Sequence, residues 1–211
     1  KVDGDLANRV TFDFVDEVSR DSPAPGGGSV AALSGALGAA LGTMVANLST
    51  SKAGFEDQKK RLNKISSKGQ AVKDALIKAI DDDTSAFDQV IKAMRMPKDT
   101  DADKKSRETA MQEGYQIATQ VPLETVKHCR DALQICSEIS KLMDDGMASD
   151  VGSGALMANA GAKAAAYNVR INLKSIKNEK FCKATGKDLE KLIDECNLLT
   201  ESVTQNVDKT L

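Results

Sequence analysis

The chain has 211 residues, with 29 basic and 31 acidic side chains, no tryptophan and seven Phe or Tyr residues. The near balance of charge argues against a nucleic-acid-binding protein, and so few aromatic side chains leave few platforms on which bases could stack. A chain of this length can bury a core without disulfides or metals, and we expect one domain over residues 1–211. Abundant Ala, Leu, Lys and Asp with four prolines are typical of an all-α fold.

The first distinctive segment, Ser22 to Ser49, carries no charged side chain. Three structures would explain it: a membrane span, a phosphate-binding loop with its helix, or a buried helix. A membrane span is disfavoured because Ala and Gly with interspersed hydroxyl and amide groups drive insertion weakly. A Walker loop is excluded because no Lys-Ser or Lys-Thr follows the glycines. A helix without charge on any face is usually buried, so we predict a core helix.

The turn Pro25–Ser29 leads into this helix, and we expect Ser29 to be its N-cap. A helix N-terminus offers free N–H groups and the positive end of the helix dipole, which suit an anion or a carbonyl group. The turn is therefore interpreted either as a plain cap or as part of a ligand site. Within the helix, Gly35, Gly38 and Gly42 share one face and would allow another helix to approach closely.

Apolar residues recur at helical spacing from Phe55 to Met94, which predicts one long helix. Asp83 falls on the apolar stripe, where a carboxylate is costly unless it is paired or protonated. In a cleft, burial would raise its pKa. The alternative is that Asp81, Asp82 and Asp83 cap a new helix beginning at Thr84.

A loop follows from Met94 to Asp103, where Thr100 and Asp103 form a capping-box pattern. Helical spacing then continues to about Met143, with Pro122 expected to bend the helix.

A second Ala- and Gly-rich helix is predicted from Met147 to Lys174, and a last amphipathic helix from about Asp188 to Val207. The basic segment Lys177–Lys187 between them is interpreted as an irregular connector. Two Ala- and Gly-rich helices separated by amphipathic ones indicate a layered bundle, with this pair in the middle or at a subunit interface.

The four cysteines form no C-x-x-C pair, and the single histidine, His128, supplies no further metal-ligand pattern. We therefore expect no metal site and reduced, mostly buried thiols in a cytoplasmic protein. The remaining chemistry is that of carboxylates and amides near the glycine turn. Such a set suits proton transfer and hydrogen bonding to a flat, nitrogen-rich ligand.

Several motifs taken together resemble one family. "SPAPGGGSVAAL", "AFDQVIKAMRMPKDT", "QEGYQIATQVPLE", "ASDV" and "YNVRINLK" are similar to the cyclodeaminase domain of formiminotransferase-cyclodeaminase and to its stand-alone bacterial relatives, some of which are methenyltetrahydrofolate cyclohydrolases. The similarity covers nearly the whole chain. It implies an all-helical bundle that associates as a homodimer and performs folate one-carbon chemistry, as in histidine degradation, without a permanently bound cofactor.

The resemblance also assigns roles to single residues. It makes Asp83 the leading acid/base candidate and Asp150 the second. The positions it implies for substrate binding are Gly26, Gly27, Gly28, Ser29, Asp81, Asn168, Asn172 and Lys98. Among these, the two asparagines would orient the pterin, and Lys98 would contact the glutamate tail of the folate.

The implied reaction is that of a formiminotetrahydrofolate cyclodeaminase, in which N10 attacks the formimino carbon on N5 and ammonia leaves. "MRMPKDT" and "QEGYQIATQVPLE" favour this interpretation. A methenyltetrahydrofolate cyclohydrolase is the first alternative, and a non-catalytic helical assembly module is the second. The expected partners are a folate substrate, with or without polyglutamate, and a fused or separate formiminotransferase; neither nucleic acid nor membrane is expected.

Overall fold

The computed structural model describes residues 11–211, and over these residues it is built from α-helices and two single-turn 3₁₀ helices without a strand. The prediction of an all-α fold is therefore confirmed for this part of the chain. The α-helices are α1 (Thr11–Val18), α2 (Gly27–Thr50), α3 (Lys59–Met94), α4 (Asp101–Ile139), α5 (Ala148–Leu173) and α6 (Glu179–Asp208).

Helix α2 lies at the centre, where it packs against α3, α4 and α5. It runs antiparallel to α5, and glycines allow the two backbones to come close. A Cβ atom on Gly38 would lie 2.6 Å from the carbonyl oxygen of Gly154, and one on Gly161 would lie 2.7 Å from that of Ala31. Because a glycine inside a helix costs about 1 kcal/mol relative to alanine, this close packing explains why small residues occupy these positions.

Among the described helices, α2 alone is long and apolar enough to cross a membrane by length and composition. However, 61% of its most apolar window is buried inside the bundle. Packing against three neighbouring helices accounts for a composition that otherwise suits lipid.

The larger core side chains come from the amphipathic helices. Leu62 and Leu76 of α3, Leu133 and Ile135 of α4 and Leu189 of α6 are almost fully buried. Each such side chain contributes about 1.5–3 kcal/mol relative to an exposed one, so these helices supply most of the apolar volume around the small residues of α2 and α5.

The four cysteines are all free thiols; Cys129, Cys136 and Cys196 are buried, and Cys182 is half-buried. Burial raises the pKa of Cys136 to about 12, which keeps this thiol protonated. The buried cysteines act here as small apolar packing residues, as the sequence predicts.

Two predictions about helix starts were wrong. Helix α2 begins at Gly27 with Gly26 at the N-cap and no side-chain cap, so Ser29 is not the capping residue. Instead Ser29 is fully buried, and its hydroxyl donates to the carbonyl oxygen of Ile80 on α3 at 2.9 Å. Helix α6 begins at Glu179, nine residues before the predicted start, because Asn178 caps it by accepting from the Phe181 N–H at 3.1 Å.

Two features of α3 and α4 follow the sequence more closely. Helix α3 runs without a break through Asp81, Asp82 and Asp83, so no new helix begins at Thr84. Thr100 and Asp103 form the predicted capping box at the start of α4, which then continues through Pro122 to Ile139.

Candidate active site

A cleft of about 260 Å³ opens at the N-terminal end of α2, bordered by α3, α4 and α5. The antiparallel packing brings the beginning of α2 beside the end of α5. The residues that line the cleft come from the 23–28 turn and these helices: Pro23, Ala24, Gly26, Gly27, Gly28, Asp83, Thr84, Phe87, Ala118, Asn168, Ile171 and Asn172.

The carboxyl group of Asp83 lies directly against the first turn of α2. A Cβ atom on Gly28 would collide with all three atoms of this group, so only glycine leaves room for it. The Ser29 hydroxyl lies 2.9 Å from the Ile80 carbonyl oxygen and 3.3 Å from Asp83 Oδ2, and its one proton is shared between these acceptors. The first turn of α2, Gly27-Gly28-Ser29, therefore leaves space for the Asp83 carboxyl group of α3 and donates a hydrogen bond to it.

Burial raises the pKa of Asp83 above its ordinary value. Hydrogen bonds from the hydroxyl and the backbone N–H of Ser29 act in the opposite direction and offset part of this effect. The N-terminal dipole of α2 also favours the ionised form. A carboxyl group held between these influences can accept and return a proton closer to neutral pH than an exposed aspartate can.

Two amides on α5 form another wall of the cleft. Asn168 Nδ2 donates to the Ala164 carbonyl oxygen at 3.0 Å, and Asn172 Nδ2 donates to the Ala118 carbonyl oxygen of α4 at 2.7 Å. Within residues 11–211, no hydrogen bond engages the Oδ1 atom of either side chain. Both amides therefore retain an acceptor for the N–H groups of a ligand.

Sequence reasoning missed the apolar and hydroxyl parts of the cleft. Phe87 and Ile171 line it and are partly exposed, so they offer apolar surface to a flat ring. Thr84 Oγ1 is buried and has no hydrogen-bond partner among the described residues. Helical spacing was the available signal for Phe87, which follows Asp83 by four residues and so shares its face of α3; it gave none for Thr84, the next residue in the chain.

The structure brings together Asp83, Asn168 and Asn172 with Gly26, Gly27 and Gly28, and it places Ser29 behind the carboxyl group. It does not bring Asp150 there. Asp150 lies in the first turn of α5, and the 18 residue steps from it to Asn168 correspond to about 27 Å of helix. Within this chain the two aspartates therefore do not line one cleft, and the catalytic role that the resemblance implies for Asp150 stays a prediction.

Two further predicted residues lie outside the cleft lining. Asp81 is half-buried on α3, two residues from Asp83 and so on a different side of the helix. Lys98 is exposed in the loop after α3, and about 16 Å of helix separates Asp83 from Met94 at the start of that loop. Across residues 11–211, no group of three or more His, Cys, Asp or Glu side chains could hold a metal ion.

The fold and the cleft define a helical-bundle protein in which a half-buried carboxyl group and two amide side chains line a cleft at a glycine-rich helix N-terminus. The chain belongs to the formiminotransferase-cyclodeaminase family, whose model matches residues 11–191.

Individual relatives cover the chain to different extents. A methenyltetrahydrofolate cyclohydrolase from Methylorubrum extorquens is 35% identical over 200 residues, which are 95% of this chain and 96% of that protein. The formimidoyltransferase-cyclodeaminase of Gallus gallus is 35% identical over 182 residues, but these are only 34% of its length. A crystal structure of formiminotetrahydrofolate cyclodeaminase from Thermotoga maritima superposes with a TM-score of 0.88 at 25% identity, covering 97% of this chain and 98% of that one.

Proposed function

We propose that the protein is a folate one-carbon enzyme that acts at the carbon between N5 and N10 of tetrahydrofolate, as a formiminotetrahydrofolate cyclodeaminase. The observation that carries the proposal is the Asp83 carboxyl group, which is half-buried against the glycine-rich start of α2 with a raised pKa and lines the same cleft as two asparagine amides. The structural relative from Thermotoga maritima, which matches over nearly its whole length, supports this reaction.

In the proposed reaction, N10 attacks the carbon of the formimino group on N5, whose imino nitrogen is protonated, and forms a tetrahedral carbon that bears an amino group. N10 loses a proton, the amino group gains one, and ammonia leaves as the N5–carbon–N10 bridge becomes the methenyl cation. One carboxyl group can accept the first proton and return it to the leaving nitrogen. Asp83 therefore suffices as the proton carrier, and no second aspartate is needed.

The rest of the cleft would position the substrate. The free Oδ1 atoms of Asn168 and Asn172 accept hydrogen bonds from pterin N–H groups, and Phe87 and Ile171 contact the flat faces of the ring. Gly27 and Gly28 let the ligand approach the backbone of α2. Holding N10 against the formimino carbon contributes to the rate by proximity, an effect that reaches about 7–11 kcal/mol in favourable cases.

Methenyltetrahydrofolate cyclohydrolase is the second candidate, and the match to 96% of the Methylorubrum extorquens cyclohydrolase favours it. In that reaction water adds to the methenyl carbon and N5 leaves, which yields 10-formyltetrahydrofolate and one proton. The carboxyl group would take a proton from water and give one to N5. Because both reactions pass through a tetrahedral carbon between the same nitrogens, the same cleft geometry serves either one.

Absorbance at the methenyltetrahydrofolate band distinguishes the candidates. Appearance of the band from 5-formiminotetrahydrofolate, with stoichiometric ammonia, is expected for the cyclodeaminase. Loss of added methenyltetrahydrofolate without any response to the formimino compound would assign the cyclohydrolase instead. Uncatalysed rates in both directions, together with no calorimetric sign of folate binding, would leave a helical assembly module.

Three further elements of the proposal concern the surroundings of the reaction. The enzyme works in the cytoplasm, and the formimino substrate comes from a formiminotransferase on the same or a separate polypeptide, as in the animal relatives named for both activities.

Lys98, exposed beyond the end of α3, contacts the glutamate tail of the folate. Lower affinity of Lys98→Ala for a polyglutamylated folate, with unchanged affinity for the monoglutamate, would support this contact.

We also propose a homodimer formed through the open faces of α2 and α5. Both helices pack against α4, so their faces turned away from α4 lie on the same side of the bundle. Leu37 is 47% exposed and Tyr167 is 70% exposed on these faces. Other large apolar side chains partly exposed there are Val30, Met44, Leu48 and Leu156. Such a contiguous apolar surface is typical of an interface.

Light scattering at micromolar concentration tests the dimer. The double variant Leu37→Glu with Tyr167→Glu should be monomeric, because charges on the buried face would be desolvated. Leu198→Glu is the matched control, since Leu198 is 67% exposed on α6, away from this surface. A wild-type monomer, or a dimer that persists in the double variant, would contradict this interface.

A further inference from the structure

Helix α4 contains a proline in its interior and still continues on both sides of it. Pro122 is buried within the continuous helix Asp101–Ile139. A proline has no backbone N–H, and its ring crowds the carbonyl group four residues earlier. That carbonyl group is Ala118 O, which consequently lacks its helical partner.

The freed carbonyl oxygen is used by the cleft. Asn172 Nδ2 on α5 donates to Ala118 O at 2.7 Å, and Ala118 itself lines the cleft. The side-chain amide thus takes the place of the N–H group that Pro122 cannot supply. A buried carbonyl group without a partner is costly. The contact therefore gives Ala118 O a hydrogen-bond donor and links α4 to α5.

This contact also determines which end of the Asn172 amide faces the ligand. With Nδ2 committed to Ala118 O, Oδ1 is the acceptor left for a ligand in the cleft that Asn172 and Asp83 both line. An amide free to rotate by 180° would offer either a donor or an acceptor. The fixed orientation selects a ligand that presents N–H groups at this point.

We propose that Pro122 is a positioning residue of the cleft, which acts through the Ala118 carbonyl group to hold Asn172 with its acceptor toward the substrate. Its role in turnover rests on the proposed folate reaction. The contact between α4 and α5 exists independently of that reaction, so the two can be tested separately.

The test is a double-mutant cycle with Pro122→Ala and Asn172→Ala. Pro122→Ala supplies an N–H group that competes with Asn172 for Ala118 O. We expect kcat/KM for the active folate substrate to fall about tenfold, mainly through KM, while Tm is unchanged or higher because alanine is the better helix former. In the Asn172→Ala background the same substitution should change kcat/KM less than twofold, because there is no longer an amide to orient.

A second readout does not depend on turnover. The side-chain amide protons of Asn172, assigned by their loss in Asn172→Ala, should shift in the NMR spectrum of Pro122→Ala. Gly186→Ala is the matched control, because it also replaces a poor helix former by alanine and its Cβ would meet nothing within 4 Å. It should raise Tm without moving the Asn172 signals or kcat/KM.

The outcomes separate the two proposals. Equal losses of activity from Pro122→Ala in both backgrounds, or unmoved Asn172 signals, would overturn the positioning role even if the wild type is fully active. A wild type that turns over neither folate would overturn the proposed function and the catalytic consequence of the contact. In that case the NMR signals still report whether Pro122 orients the amide.

Discussion

The two ends of the α2–α5 pair each place a carboxyl group near the N-terminus of a helix, yet they differ in what surrounds that group. At one end Asp83 lies against Gly28 at the start of α2, inside a cleft with apolar and amide walls. At the other end Asp150 lies in the first turn of α5, near the packed contact between Ser49 and Met147. Burial raises the pKa of Asp83. In the proposed reaction, the space left by Gly28 and the raised pKa, rather than a helix N-terminus alone, suit Asp83 to carry a proton.

Replacing each of these carboxyl groups by an amide tests this comparison most strongly. Asp83→Asn should lower kcat by about 100- to 10,000-fold, because that is the usual contribution of general acid–base catalysis. Asp150→Asn, which makes the same chemical change about 27 Å along α5 from Asn168, should change kcat less than threefold. Steady-state kinetics of the two variants on the active folate substrate measure both effects.

A loss in Asp150→Asn as large as that in Asp83→Asn would contradict the comparison. It would mean that Asp150 reaches a cleft formed with a second copy of the chain. Mixing the two inactive variants then gives a further check, because heterodimers with one intact composite cleft would recover part of the activity.

Sequence patterns located one side of the cleft better than the other. The position of Asp83 on an apolar helical stripe and the glycine turn before α2 pointed to neighbouring residues, since both depend on local spacing. The sequence could not show that Asp150 and Asn168 lie at opposite ends of α5 relative to the cleft, because spacing along one helix does not show which end of an antiparallel pair borders a site. The buried hydroxyl of Ser29 was misread as a cap because its partner, Ile80, is 51 residues away in the chain.

Adding a methyl group at Gly28 should cause the next largest loss of turnover. In Gly28→Ala the new methyl group would collide with the Asp83 carboxyl group, and a displacement of about 1 Å can reduce turnover about 100-fold. Gly27→Ala adds the same methyl group one residue earlier, where it meets Asn168 Nδ2 only at 3.5 Å, so a smaller loss is expected. Equal kcat values for the two variants would show that activity does not depend on the space that Gly28 leaves for the Asp83 carboxyl group.

Removing an acceptor from the amide wall should have a modest effect on binding. Asn168→Ala deletes one free Oδ1 atom, and a single hydrogen bond contributes about 1 kcal/mol. We expect about a fivefold rise in KM at nearly constant kcat, because this contact holds the substrate without carrying a proton. A fall in kcat at constant KM would instead place Asn168 among the groups that stabilise the transition state.

The smallest expected effect concerns stability. Burial raises the pKa of Asp83 in the folded state above its ordinary value of 3.8, so the folded chain binds a proton more tightly than the unfolded chain does. The resulting contribution to stability is fully present below the unfolded-state pKa and is lost as pH rises through the folded-state pKa. Between those two pKa values the loss is about 1.4 kcal/mol for each pH unit.

Asp83→Asn does not titrate, so it should gain stability relative to the wild type as pH rises from about 4 to about 7. Urea unfolding at both pH values measures this gain, and Asp150→Asn serves as the control because it removes a carboxyl group outside the cleft. A stability difference between Asp83→Asn and the wild type that stays constant with pH would show that folding does not raise the pKa of Asp83.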